Sequence, residues 1–287
     1  MDKTGKYTAQ WSTKTPGLLV FLVDQSHSMG EKYPENGTKA EFAATVINRS
    51  ISNLIEGCAN GAMPKNKARI AIIGYGGKGG DSVELLRDGM LTDYASNPIR
   101  IKKVFQKEPD VDRGLVEIER YVPVYLEAVS RGCTAMGDAY HMAFDIVSQF
   151  IADNPACPAP NLINVSDGSP WTYEREHKEL EYAEAEAKRI MSLECADGSP
   201  LVFNDHIGTG SPQYICPGPD VVVRGRQPNY LSRTSSIIPY TYRVAASKLG
   251  LVLVDNARGF VSNASPEVFT ALIQLGSSGA MRDRMSA

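Results

Sequence analysis

Leu18-Leu19-Val20-Phe21-Leu22-Val23 is an unbroken run of six apolar residues that ends on Asp24. The run does not alternate, so it reads as a strand buried on both faces, as in a parallel sheet. Such a strand needs a covering layer on each side, which points to an α/β architecture. Directly after it comes Asp24-Gln25-Ser26-His27-Ser28, a carboxylate and two hydroxyls at alternate positions. In open α/β sheets, ligands bind at the carboxyl ends of the strands. All three side chains offer hard oxygen donors. They suit Mg²⁺, Mn²⁺ or Ca²⁺ better than Zn²⁺.

The rest of the chain repeats strand and helix patterns. Residues 38–57 place Phe42, Val46, Ile47, Ile51, Leu54 and Ile55 at helical spacing, with Gly57 as a stop. Ile70-Ala71-Ile72-Ile73 is a second buried strand. Gly74-Tyr75-Gly76-Gly77-Lys78-Gly79-Gly80 follows and reads as a hairpin turn into a strand at Ser82–Leu86. A phosphate loop would need Gly-Lys-Ser/Thr opening a helix, and Lys78 is followed by Gly79. Residues 98–131 carry no clear period. Ala135–Asp153 is a helix, Leu162–Val165 a third buried strand, and Tyr173–Leu193 a long charged helix. Asp197-Gly198 is a turn before a strand at Leu201–Asn204. Residues 208–236 are rich in Pro, Gly and Ser and read as loops. Pro239–Leu249 is helical, and Leu251–Val254 is a last strand or the end of that helix. Ser265 caps a closing helix to Leu275, with Pro266 at its first position. The alternation predicts a doubly wound, mostly parallel sheet flanked by helices. The expected division is a polar lead-in at 1–16, docked by Trp11, one domain at 17–275 and a flexible tail at 276–287.

Composition limits the function. The formal net charge of −3, without a basic block, offers no general field for nucleic acid or an anionic membrane. No apolar stretch approaches the roughly 20 residues of a membrane span. The polar start, Met1-Asp2-Lys3-Thr4-Gly5-Lys6, has no apolar secretory segment. Five scattered cysteines (Cys58, Cys133, Cys157, Cys195, Cys216) and four histidines form no zinc pattern. They read as reduced thiols of a cytoplasmic protein.

One carboxylate and two hydroxyls leave a six-coordinate ion short of oxygens. Thr134, opening the helix after Arg131-Gly132-Cys133, and Asp167, ending the third buried strand, supply two more. In order, Asp24-x-Ser26-x-Ser28, Thr134 and Asp167 resemble the metal-ion-dependent adhesion site of von Willebrand factor type A domains, over about residues 17–275. Three further segments resemble bacterial members linked to tellurite resistance and stress signalling. They are Thr134–Ala139, Asp197–Ile207 and Ala257–Ala264. Members of that group are encoded beside a PP2C-type phosphatase and a serine/threonine kinase, and often carry Pro where Ala135 stands.

The resemblance implies that Ser26, Ser28 and Thr134 bind Mg²⁺ through their hydroxyls, with Asp24 and Asp167 acting partly through water. An open position then accepts an Asp or Glu from a protein partner, with a kinase or phosphatase as candidate partners. The expected function is binding, not catalysis. One rival is a metal-dependent phosphotransferase or hydrolase with Asp24 as nucleophile. It lacks the second acid two positions on, where Ser26 stands. The other rival is a structural subunit whose ion only stiffens loops. Near the motif, Asp138 reads as a rim residue or a helix-start acid, His27 as a non-ligand, and Cys133 as a redox-sensitive or inert thiol. Trp171 and Tyr173 read either as a partner face or as a cover for the core.

Overall fold

The computed structural model describes residues 5–33, 37–61, 63–110, 114–208, 210 and 212–276. The strands of the main sheet and of one long hairpin are β1 (Gly17–Asp24), β2 (Ala68–Tyr75), β3 (Val83–Met90), β4 (Arg100–Asp110), β5 (Gly114–Val124), β6 (Asn161–Ser166), β7 (Leu201–His206), β8 (Tyr214–Ile215) and β9 (Phe260–Ser262). The helices are α1 (Lys39–Gly57), α2 (Leu91–Ser96), α3 (Met136–Asp153), α4 (Glu179–Met191), α5 (Arg226–Arg233), α6 (Arg243–Lys248) and α7 (Pro266–Gly276). The main sheet runs β8-β9-β7-β6-β1-β2-β3. Its inner members are parallel, and both edge strands, β3 and β8, are antiparallel. The fold is therefore α/β and doubly wound.

Every residue of β1 is buried, because the pleat feeds two cores. Leu19, Phe21 and Val23 face one way, with Ile70, Ile72, Ile163 and Phe203, and are covered by Phe42, Ile47 and Ile51 of α1 and Phe269 and Leu272 of α7. Leu18, Val20 and Leu22 face the other, with Ala71, Ile73 and Leu162, under Ala139, Tyr140 and Val147 of α3 and Ala183 and Ile190 of α4. A capping box fixes where α1 starts: Thr38 Oγ1 accepts from Glu41 N, and Glu41 accepts from Thr38 N. The sheet grows from β1 toward β2 on one side and β6 on the other. The crevice between the carboxyl ends of β1 and β6 is thus the topological switch point.

Several elements differ from expectation. Residues 98–131 contain a long separate hairpin, β4–β5, paired from Arg100↔Val124 to Asp110↔Gly114. Ile101, Phe105, Tyr121 and Val122 on it are exposed, so no buried face marks it in the sequence. The charged helix begins at Glu179 rather than Tyr173. The preceding turn is held instead by Asp81, which accepts from Tyr173 N and Glu174 N, and by Thr172 Oγ1, which accepts from Arg175 N. Leu251–Val254 is neither strand nor helix, since Val252 and Val254 point to solvent, and the last strand is β9. Only Arg243–Lys248 of the helix expected at 239–249 is α-helical, after a 3₁₀ turn at Tyr240–Tyr242. The loop excursion holds β8 and α5.

Trp11 docks the lead-in as expected. Its indole is buried and lies where a Cβ on Gly17 would stand, 2.1 Å away. Asp197 Oδ1 also accepts from Thr8 N and Ala9 N. Residues 1–4 of the lead-in and the expected tail beyond Gly276 lie outside the described residues. Among those described, no helix is long and apolar enough to cross a membrane.

Candidate metal centre

Asp24 is the last residue of β1, and the chain leaves the sheet there with Gln25 N donating to Tyr75 O at 2.8 Å. The following loop is laced to residues 131–132: Arg131 N donates to Gln25 O and His27 N to Gly132 O, both at 2.8 Å. This lacing requires close backbone approach. A Cβ on Gly132 would fall 2.4 Å from Gly80 O and 2.6 Å from Gly76 O. Gly76 itself has φ +88° and faces Cys133 O. Two residues on, Thr134 exchanges both backbone hydrogen bonds with Trp171 at 3.0 Å, just ahead of α3. The loop after β6 is thereby held against the loop after β1.

These contacts gather the five residues singled out in the sequence. Ser26 N donates to Asp24 Oδ1 at 2.9 Å, and Ser26 Oγ lies 3.2 Å from Ser28 Oγ. Ser28 Oγ donates to Asp167 Oδ1 at 2.7 Å. Thr134 Oγ1 stands over Gly168, the residue after Asp167, 3.8 Å from where a Cβ would be. Ser26 is buried, whereas Ser28 is partly exposed.

Three neighbours were not legible as site residues. Ser166 Oγ donates to Asp24 Oδ2 at 2.5 Å and fixes that carboxylate. Lys39 Nζ sits 2.6 Å from Asp167 Oδ2 and 2.6 Å from Glu31 Oε2. The sequence did carry one signal for Lys39, a cation in the first turn of a helix, where the macrodipole disfavours it.

The electrostatics follow from burial. Asp24 is buried, and that, with the charge of Asp167 beside it, pushes its carboxyl up to about 7 despite hydrogen bonds from Ser166 and Ser26. Burial works against the Lys39 ammonium, but hydrogen bonds and charge from Asp167 and Glu31 outweigh it and hold its pKa above the usual lysine value. His206, on the neighbouring strand, is pushed down to about 4 by burial and donates to or accepts from Ser262 Oγ at 2.8 Å.

The residues around the rim take defined roles. His27 is exposed. Asp138 pairs with Arg175 at 2.8 and 3.0 Å in the first turn of α3, which is the helix-start role. Burial and Asp81 push the Cys133 thiol up to about 11, which makes it a poor nucleophile. Trp171 and Tyr173 meet edge to face at 4.9 Å and are 39% and 72% exposed, so they do not close the core. Behind the site a buried polar chain ties the sheet to α3. Tyr75 OH donates to Asn164 Oδ1 (2.9 Å), Asn164 Nδ2 to Asn204 Oδ1 (2.9 Å) and Tyr140 OH to Asn204 Oδ1 (3.1 Å).

Two carboxylates and three hydroxyls at a switch point fit a hard, oxygen-seeking divalent ion. Among the described residues, no three His, Cys, Asp or Glu side chains group into a metal cage of the kind zinc favours.

No family model matches the sequence, and no curated protein matches it. Similar solved structures include the vWF domain of the type V pili tip protein Mfa5 from Porphyromonas gingivalis, at 16% identity and TM-score 0.32 over 54% of this chain and 39% of that one. The PilB minor pilin from Streptococcus sanguinis matches at 11% identity and TM-score 0.45, over 95% of this chain and 62% of its own. The pilus adhesin RrgA from Streptococcus pneumoniae matches at 13% identity and TM-score 0.29, over 56% of this chain and 21% of its own. This chain thus spans less than two thirds of each of those proteins.

Proposed function

We propose that this chain is a von Willebrand factor type A module that captures an acidic residue of a protein partner through a divalent ion. The observation that carries the reading is the convergence of Asp24, Ser26, Ser28, Thr134 and Asp167 at one sheet edge, from three segments spread over more than a hundred residues of sequence. Ser26, Ser28 and Thr134 would hold Mg²⁺ (or Mn²⁺ or Ca²⁺) through neutral hydroxyls, with Asp24 and Asp167 supplying charge. The ion supplies an exchangeable, electropositive coordination position. The exposed Trp171–Tyr173 pair beside Thr134 offers the aromatic contacts that interfaces favour.

Binding is preferred to catalysis on chemical grounds. Both Asp24 oxygens are engaged, by Ser26 N and Ser166 Oγ, and burial disfavours its ionised form, which blunts it as a nucleophile. Mg²⁺-dependent phosphatase turnover abolished by Asp24→Asn would reverse this. The cellular setting rests on the sequence resemblance: a cytoplasmic, phosphorylation-linked stress or defence system, with a kinase or PP2C-type phosphatase as partner. Five free thiols fit a reducing compartment.

The test is affinity capture in Mg²⁺ and again in EDTA, with Ser28→Ala as control. A partner retained only by the wild type in Mg²⁺ is the expected result. Equal retention in all three conditions would leave the metal out of the interface and favour the structural-subunit reading.

A further inference from the structure

Lys39 is an unusual choice for its position. It is the first residue of α1, where the helix dipole repels a cation, and its side chain is 9% exposed. Nothing in helix formation calls for it there. Its ammonium instead bridges Asp167 Oδ2 and Glu31 Oε2, each at 2.6 Å. Asp167 Oδ1 accepts from Ser28 Oγ, so Lys39 takes the other oxygen of a carboxylate in the candidate ion shell. Its backbone is also fixed to the same loop, with Lys39 N donating to Glu31 O at 3.0 Å.

We propose that Lys39 is a built-in counter-cation that a divalent ion must compete with, so that it sets the metal affinity of this centre. The proposal rests on the metal-capture reading and names its regulation. Without an ion, Asp24 and Asp167 face each other in a buried place, and Lys39 relieves that repulsion. When an ion arrives, two cations share Asp167. Glu31, 66% exposed, gives the ammonium a second partner to fall back on. With Glu31 counted, the two aspartates, Lys39 and a divalent ion leave the site neutral, whereas without Lys39 it would keep a negative charge and repel a partner carboxylate. The lysine therefore trades ion affinity for ligand affinity.

Calorimetric titration of the full chain with Mg²⁺ and with Mn²⁺ tests this on wild type, Lys39→Met, Lys39→Arg and Ser28→Ala. Lys39→Met should bind the ion about tenfold more tightly, about 1.4 kcal/mol. Lys39→Arg should stay near wild type, and Ser28→Ala should show no measurable ion binding. Melting in EDTA should show Lys39→Met less stable than wild type, with a larger gain on adding Mg²⁺. An unchanged or weaker affinity in Lys39→Met, with wild type binding normally, overturns the role of Lys39 and leaves the metal site standing. If neither binds an ion, the metal-capture reading fails and this one with it. Glu31→Gln is a second probe at an exposed side chain, should Lys39→Met fold poorly. It should weaken ion binding in wild type; an unchanged affinity there would overturn the proposal.

Discussion

Asp24 makes the metal-free protein less stable as pH rises, against the usual behaviour of a carboxylate in a fold. An aspartate ordinarily titrates at 3.8, and this one at about 7, because burial and Asp167 disfavour its charge. The folded chain therefore holds one more proton than the unfolded chain between about pH 4 and about pH 7. The associated stability is fully present below about pH 4 and is lost as pH rises through about 7. At 1.36 kcal/mol per pH unit, the loss is on the order of 4 kcal/mol. Other carboxylates act oppositely, since Lys39 holds Glu31 and Lys188 holds Glu184 below the usual range. The informative quantity is thus the difference between wild type and Asp24→Asn. Urea melts in EDTA at several pH values across the window should show wild type losing ground steadily to Asp24→Asn. Repeating them in Mg²⁺ should remove most of the loss, because an ion needs the ionised carboxylate. A wild-type curve parallel to that of Asp24→Asn would refute the argument.

Three further outcomes are expected. Ser28→Ala should abolish measurable Mg²⁺ binding by calorimetry while costing only about 1 kcal/mol in EDTA melts, since it removes one partly exposed hydroxyl from Asp167; wild-type affinity would remove Ser28 from the site. Gly132→Ala should also lose ion affinity, because its Cβ would meet the Gly80 and Gly76 carbonyls and push Thr134 away; an unaltered titration would show that the lacing does not position the threonine. Tyr75→Phe should destabilise by about 1–3 kcal/mol in urea melts, as Asn164 Oδ1 loses a buried donor, and a neutral result would mean the polar chain behind the site contributes little.

Much of the sheet was legible because β1, β2 and β6 are buried on both faces and so write unbroken apolar runs into the sequence. The five candidate ligands were legible for a related reason, because chemistry at a switch point follows directly on such runs. What stayed hidden lacks a one-sided pattern. The β4–β5 hairpin leaves Ile101, Phe105, Tyr121 and Val122 exposed, so its apolar residues mark no buried face. The start of α4 is displaced by a turn that Thr172 closes locally and that Asp81 holds from some ninety residues away, a distant contact that no local propensity records. β9 is three residues long and is defined by its neighbour β7 rather than by its own composition. Lys39 is marked in the sequence only by its unfavourable place at a helix start, and its partner Asp167, 128 residues away, becomes visible only in the fold.

The central position of β1 has a consequence for synthesis. Its partner on one side, β2, ends at Tyr75, but its partner on the other begins only at Asn161. On the ribosome, β1 and β2 emerge early, and one side of β1 then waits unpaired while the intervening chain is made. An apolar strand with a bare edge is a template for wrong pairing. Asp167 emerges later still, so the proposed ion shell would be incomplete until most of the sheet is in place, and an ion bound there would reward only a nascent chain that has already found its register.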